Sequence, residues 1–205
     1  MGKVVKFVLK STPIVALKRV KKRKKVDPED FGQLNLFTPK DKTKIVSMPS
    51  NLSPFEEALV LDDQGNMKAE DLYYQAISAG ECVADAYCNL GILEFKHGKK
   101  AEAIDCFTKS LKHDPRHFES HYNLANLYSE VENTELAKLH YEVASRILPE
   151  SASVYYNLGI VYALNSEFEK AVLSLTRYIG LVSEKEGMEA KELLASLKES
   201  LDEVL

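Results

Sequence analysis

The sequence predicts an all-α fold: an α-solenoid of stacked helix-turn-helix repeats, closed by a C-terminal capping helix and preceded by a basic, flexible N-terminal arm. Three observations carry this reading. The first is a 34-residue period. Tyr87, Leu90, Gly91, Gly98, Ala103, Phe107 and Pro115 return as His121, Leu124, Ala125, Glu132, Ala137, Tyr141 and Pro149, and again as Tyr155, Leu158, Gly159, Ser166, Ala171, Leu175 and Ser183. A fixed period without insertions means stacked copies of one small unit. The second is that each copy holds two amphipathic runs, 87–96 and 100–112 in the clearest one, with a turn at His97, Gly98 and Lys99 and a stop at Asp114 and Pro115. The third is the alternation of small and bulky residues: Gly91, Ala125, Gly159 and Ala103, Ala137, Ala171 allow close helix approach, and Leu90, Leu124, Leu158, Phe107 and Tyr141 fill the space beside them.

Taken in order, residues 1–25 form the arm. They contain ten Lys or Arg and no acid, whereas 26–205 hold 17 basic against 31 acidic residues, so an arm of +10 precedes a body of −14. Val4 to Leu9 alternates like a short strand, Ile14 to Val20 has room for a helical turn or two, and the charge run from Lys18 to Lys25 is expected to be solvated. Such a split points to an acidic partner or to the protein's own body. Phosphates of nucleic acid, an import receptor or an anionic membrane are other surfaces the run would suit. Residues 26–52 read as a linker, punctuated by Pro28, Pro39 and Pro49.

Residues 53–83 read as a degenerate first repeat. Ala69, Tyr73 and Ala76 fall on second-helix positions, Glu57 stands where a small residue is usual, and Ala58 comes one place late. Ser53, Pro54, Glu56 and Glu57 make a helix start, and the turn is expected at 62–66. An atypical terminal unit is what a stack needs as its cap. The clear repeats occupy 84–117, 118–151 and 152–185. Residues 186–205 hold the capping helix from Met188, with Leu193, Leu197 and Leu201 facing inward; the same helix leaves a homodimer open.

The spacing resembles the tetratricopeptide repeat family, with its small residues and Leu-Gly, Ala and Pro at matched phases over about 53–185. Tyr or His stands at the family's Trp position, Glu94 replaces an aromatic, and the last copy lacks its Pro. The resemblance implies a concave face that binds other proteins, lined by the first helix of each repeat. Carried over by phase, the lining is Asp85, Cys88, Ile92, Phe95 and Lys96 in one repeat. It is Glu119, Tyr122, Asn123, Asn126, Ser129 and Glu130 in the next, and Ser153, Tyr156, Asn157, Ile160, Ala163 and Leu164 in the last. Some family members clamp a carboxylate with Lys, Arg and Asn; here Cys88, Glu119, Ser153 and Asn157 occupy the clamp's basic positions, which argues against carboxylate capture. The lining suits an extended or helical peptide with apolar anchors and a basic residue, with Tyr122 and Tyr156 as anchors. Asn89, Asn123 and Asn157 share one phase, where the resemblance implies helix–helix or ligand-backbone hydrogen bonds; a position that recurs in every repeat reads first as structural.

Gln33, Leu34, Leu36 and Phe37 look like the Q-L-x-L-F pentapeptide by which bacterial replication and repair proteins bind the sliding clamp. Two rivals to a plain scaffold follow: a nucleic-acid-associated factor docked through 33–37, and an N-terminal segment that fills the protein's own groove, favoured by its tether.

Composition agrees with a non-catalytic cytoplasmic scaffold. The 205 residues are 45% apolar and 28% charged, no apolar run is long enough for a membrane span, and Cys82, Cys88 and Cys106 lack metal-ligand spacing. No phosphate loop, nucleophile elbow or metal helix appears, so no cofactor or metal is expected. His113, His117 and His121 are four apart, but Pro115 keeps them off one face.

Overall fold

The structure, a computed structural model, describes residues 18–20 and 52–202. The expected strand at 4–9, most of the linker and the pentapeptide Gln33, Leu34, Leu36 and Phe37 lie outside the described residues. Among the described residues there are nine helices: α1 (Pro54–Asp63), α2 (Lys68–Ser78), α3 (Val83–Lys96), α4 (Lys100–His113), α5 (Phe118–Glu130), α6 (Thr134–Ile147), α7 (Ala152–Leu164), α8 (Phe168–Ile179) and α9 (Met188–Asp202). Each odd helix packs on the even helix that follows it, and each pair packs on the next.

Every helix pair is turned by the same device. Gly65, Gly80, Gly98, Glu132 and Ser166 all have φ between 59° and 78°. The next residue donates its amide to the carbonyl five residues earlier: Asn66 to Leu61, Glu81 to Ala76, Lys99 to Glu94, Asn133 to Tyr128 and Glu167 to Tyr162, at 2.8–2.9 Å. This pattern satisfies carbonyls that a helix end leaves open, and it needs a left-handed residue. Glu132 and Ser166 adopt that conformation with a Cβ, which costs about 1–2 kcal/mol against Gly98 at the same phase.

Close approach fixes the interior. A Cβ on Gly91 would lie 2.7 Å from the Phe107 ring, and one on Gly159 would lie 2.8 Å from Leu175 Cγ. Phe107 and Leu175 are fully buried, so neither can withdraw into solvent. In the first repeat, Ala58 is fully buried and Glu57 is exposed, so the late Ala takes the close-packing place. Ser53 caps α1 through Glu56, in a reciprocal capping box. The expected turn at 62–66 is corrected: Asp62 and Asp63 end α1, and Asp62 is 4% exposed. α9 closes the stack by turning Ala190, Leu193, Leu194 and Leu197 onto the last core cluster.

Between α5 and α6 two imidazoles meet. His121 Nε2 donates to the Pro115 carbonyl (3.1 Å), which leaves His121 Nδ1 to accept from His140 Nδ1 (3.0 Å). Tyr128 stacks on His140, with centroids 5.6 Å apart. Burial first, and His121 second, hold the His140 imidazole down at about 4; burial also lowers His121.

Two predictions follow from these contacts. In urea melts of the whole chain, Gly91→Ala lowers stability by about 1–2 kcal/mol despite its better helix propensity, because the ring must move. Glu132→Gly raises stability by roughly 0.5–1 kcal/mol by relieving the left-handed strain. The His pair sets a pH dependence of known sign. The unfolded imidazole, with its ordinary value near 6.5, takes up protons before the folded one does. Stability is therefore full above about pH 6.5 and declines as pH falls towards 4, by about 1–2 kcal/mol after allowance for the partly exposed ring. His140→Phe flattens that decline.

Candidate functional site

Residues 18–20 lie against α1, α3 and α5 and reach Ser151 just before α7. Residues 18–20 are neither helical nor solvated, which corrects both expectations for this stretch. Their backbone is gripped at alternate residues. The Lys18 N–H donates to Asn123 Oδ1 (2.8 Å), and Asn123 Nδ2 donates to the Lys18 carbonyl (3.0 Å). One repeat earlier, the Val20 N–H donates to Asn89 Oδ1 (3.2 Å), and Asn89 Nδ2 donates to the Val20 carbonyl (3.4 Å). A side-chain amide is the one neutral group that presents an acceptor and a donor side by side, matching a residue's own N–H and C=O. Asn89 and Asn123 are fully buried, and their recurrence at 34 residues gives a step of two peptide residues per repeat.

The side chains find three different surroundings. Lys18 Nζ lies 4.5 Å from the centroid of the Tyr122 ring and 4.9 Å from that of Phe118, and donates to Ser151 Oγ (3.1 Å). Burial lowers its pKa, and the nearby Glu119 carboxylate opposes that. Arg19 pairs with Asp62 (2.7 Å) and Asp63 (2.5 Å). The Asp62 side chain is 1% exposed and also accepts from the Tyr73 hydroxyl (3.2 Å), with Lys96 at 3.8 Å. Val20, 6% exposed, joins Cys88, Ile92, Leu124 and Leu127 in one apolar cluster. Burial pushes the Cys88 thiol up to about 12, so it packs there as a neutral group.

Of the residues expected to line the groove, Cys88, Ile92, Tyr122 and Asn123 meet residues 18–20 directly or through that cluster, and Phe95 packs against it. Glu119 and Lys96 stand beside the charged subsites. Others are corrected. Asn126 is fully buried, accepts from the Tyr141 hydroxyl and from Asn157 Nδ2, and faces the core. Asn157 donates also to Tyr122 and Tyr141. Ile160 is 2% exposed and Ser129 turns its hydroxyl inward beside Tyr141, so neither is open for contact. Glu130 pairs with Lys100 (2.8 Å). Asp85 accepts from His117 Nε2 (2.9 Å), whose other nitrogen accepts from Ser120. Tyr156 packs on Tyr178 of α8, with centroids 5.1 Å apart, which moves it away from an anchor's role. Ser153 lies against Ser151 (3.3 Å), and Leu164, the last residue of α7, is 49% exposed.

Sequence reasoning missed Asn89, Asp62, Asp63, Phe118 and Ser151. Asn89 carries a signal, its recurrence, which by itself does not choose between helix packing and a ligand's backbone. Asp62 carried none, since its burial depends on an arginine 43 residues away. Among the described residues no helix is long and apolar enough to cross a membrane.

A tetratricopeptide repeat model matches residues 84–117, and a second matches 106–138. The UDP-N-acetylglucosamine–peptide N-acetylglucosaminyltransferase of Giardia intestinalis is 30% identical over 92 residues, 45% of this chain but 6% of that enzyme. The chain thus spans a small fraction of that relative's length. The structure titled as the first TPR of Spaghetti (RPAP3) bound to HSP90 peptide SRMEEVD matches with a TM-score of 0.53 at 26% identity, over 58% of this chain and 93% of that one. MamA from Desulfovibrio magneticus RS-1 matches with a TM-score of 0.60 at 20% identity, over 71% and 82%, a likeness of fold alone.

The Asn grip is local, so its loss should be too. Asn123→Ala speeds amide hydrogen exchange at Lys18 by about 5–30-fold, the range for 1–2 kcal/mol of lost hydrogen bonding, and Asn89→Ala does the same at Val20. Exchange in α9 stays unchanged.

Proposed function

The chain belongs to the tetratricopeptide repeat family, and on that premise we propose that it is a non-catalytic protein–protein interaction module that holds an extended peptide of a partner in its concave groove. The observation that carries this is the paired grip of Asn89 and Asn123 on the N–H and C=O of alternate residues. Two buried amides that bond backbone and not side chains are a device for holding a strand-like segment, whatever its sequence. The matched part of the glycosyltransferase relative is confined to a short stretch of that enzyme, which supports reading the repeats as a binding module and not as a catalytic one. We place the protein in the cytoplasm, where the buried thiols of Cys88 and Cys106 would persist.

The neighbour bound to SRMEEVD holds an acidic peptide. Here Asp62, Asp63 and Glu119 surround the groove. The partner peptide is therefore of the opposite charge class.

A degenerate peptide array probed with the full chain tests the reading. The expected result is retention of a subset of peptides that is lost with Asn89→Ala/Asn123→Ala, while far-ultraviolet circular dichroism is unchanged. Equal retention by the double variant would remove the groove from the function.

A further inference from the structure

We propose that Lys18-Arg19-Val20 is a ligand held in cis: the groove selects an extended peptide that reads cation, cation, aliphatic from N- to C-terminus, and the arm must vacate it before a partner of the same chemistry enters. This rests on the groove reading above and adds the ligand's chemistry and its competitor.

Each subsite rejects the alternatives on physical grounds. At the first, the Lys18 ammonium sits over two aromatic faces, with Ser151 as acceptor and Glu119 nearby. An aliphatic side chain would forfeit the cation–π attraction, and a carboxylate would face the negative ring faces and Glu119. At the second, one guanidinium spans two carboxylates, NH1 on Asp63 and NH2 on Asp62. Two nitrogens in a fixed fork can do this; a single ammonium cannot make both contacts in that geometry. Asp62 makes the demand strong, because a carboxylate with 1% exposure has to be paired. At the third, Val20 is closed in by Ile92, Leu124 and Leu127, and a charge there would have no partner. Beside Val20 a cavity of about 330 Å³ is lined by Arg19, Leu52, Leu59 and Val60, together with Glu56 and Asp63. It suits a further side chain with an apolar stem and a cationic head. The run of subsites thus matches the charge split between a +10 arm and a −14 body.

The tether favours occupancy. Thirty-one residues separate Val20 from Leu52, which corresponds to an effective concentration of about 1 mM. A free peptide that binds an empty groove at 10–100 μM would then bind the occupied one about 10–100-fold more weakly.

The test uses the full chain and a labelled peptide of residues 14–24, read by fluorescence anisotropy. The arm variant Arg19→Glu/Val20→Asp changes no groove residue. It should bind the peptide at least tenfold tighter than the wild-type chain does. A peptide carrying the same two changes should not bind, and adding Asp62→Asn to the arm variant should weaken binding at least tenfold with its thermal melt retained. Equal affinity of the wild-type chain and the arm variant would overturn cis occupancy, and so would a wild-type dimer that dissolves in the arm variant, since the arm would then sit in a second copy. Equal affinity for the native and altered peptides would overturn the selectivity. If the arm variant retains array peptides of other chemistry, dependent on Asn89 and Asn123, the groove reading stands and this proposal falls. If it retains none, both fall.

Discussion

A pair of helices of 10 to 14 residues each cannot cover its own apolar stripe, and everything here follows from sharing that stripe with a neighbour. Sharing demands close approach, which is why Gly91 faces the Phe107 ring and Gly159 faces Leu175 with no room for a methyl group. Where the first repeat lacks the glycine, Ala58 takes its place one position later and the outward Glu57 goes to solvent. The stack then repeats its geometry without further instruction, since the same left-handed turn follows each first helix.

That regularity makes the groove. Residues at one phase of α3 and α5 come into line, so Asn89 and Asn123 offer the same pair of polar atoms at successive rungs. On α7, Asn157 at the same phase donates to Tyr122, Asn126 and Tyr141.

This is also why the sequence was readable in one respect and opaque in another. The period, the helix pairs, the caps at Ser53 and the closing helix from Met188 were legible, because each is set by residues close in the chain. The role of Asn89 was not, since recurrence shows that a position matters without saying which way it points. Asp62 read as a turn residue because Asp-Asp-Gln-Gly-Asn looks like a turn. Its burial is created by Arg19, Tyr73 and Lys96 together, which no local pattern reveals. The charge run from Lys18 read as solvated for the same reason: a lysine is expected in water until an aromatic wall and an acceptor are known to await it.

The grip on alternate residues carries a last consequence. Asn89 and Asn123 each take an N–H from the segment they hold, and proline has none to give. The groove therefore acts as a filter on the imino acid at every second place, while the place between, where Arg19 stands, faces no such amide. Proline spacing alone, before any matter of charge, separates the segments this ladder can hold at both rungs from those it must let pass.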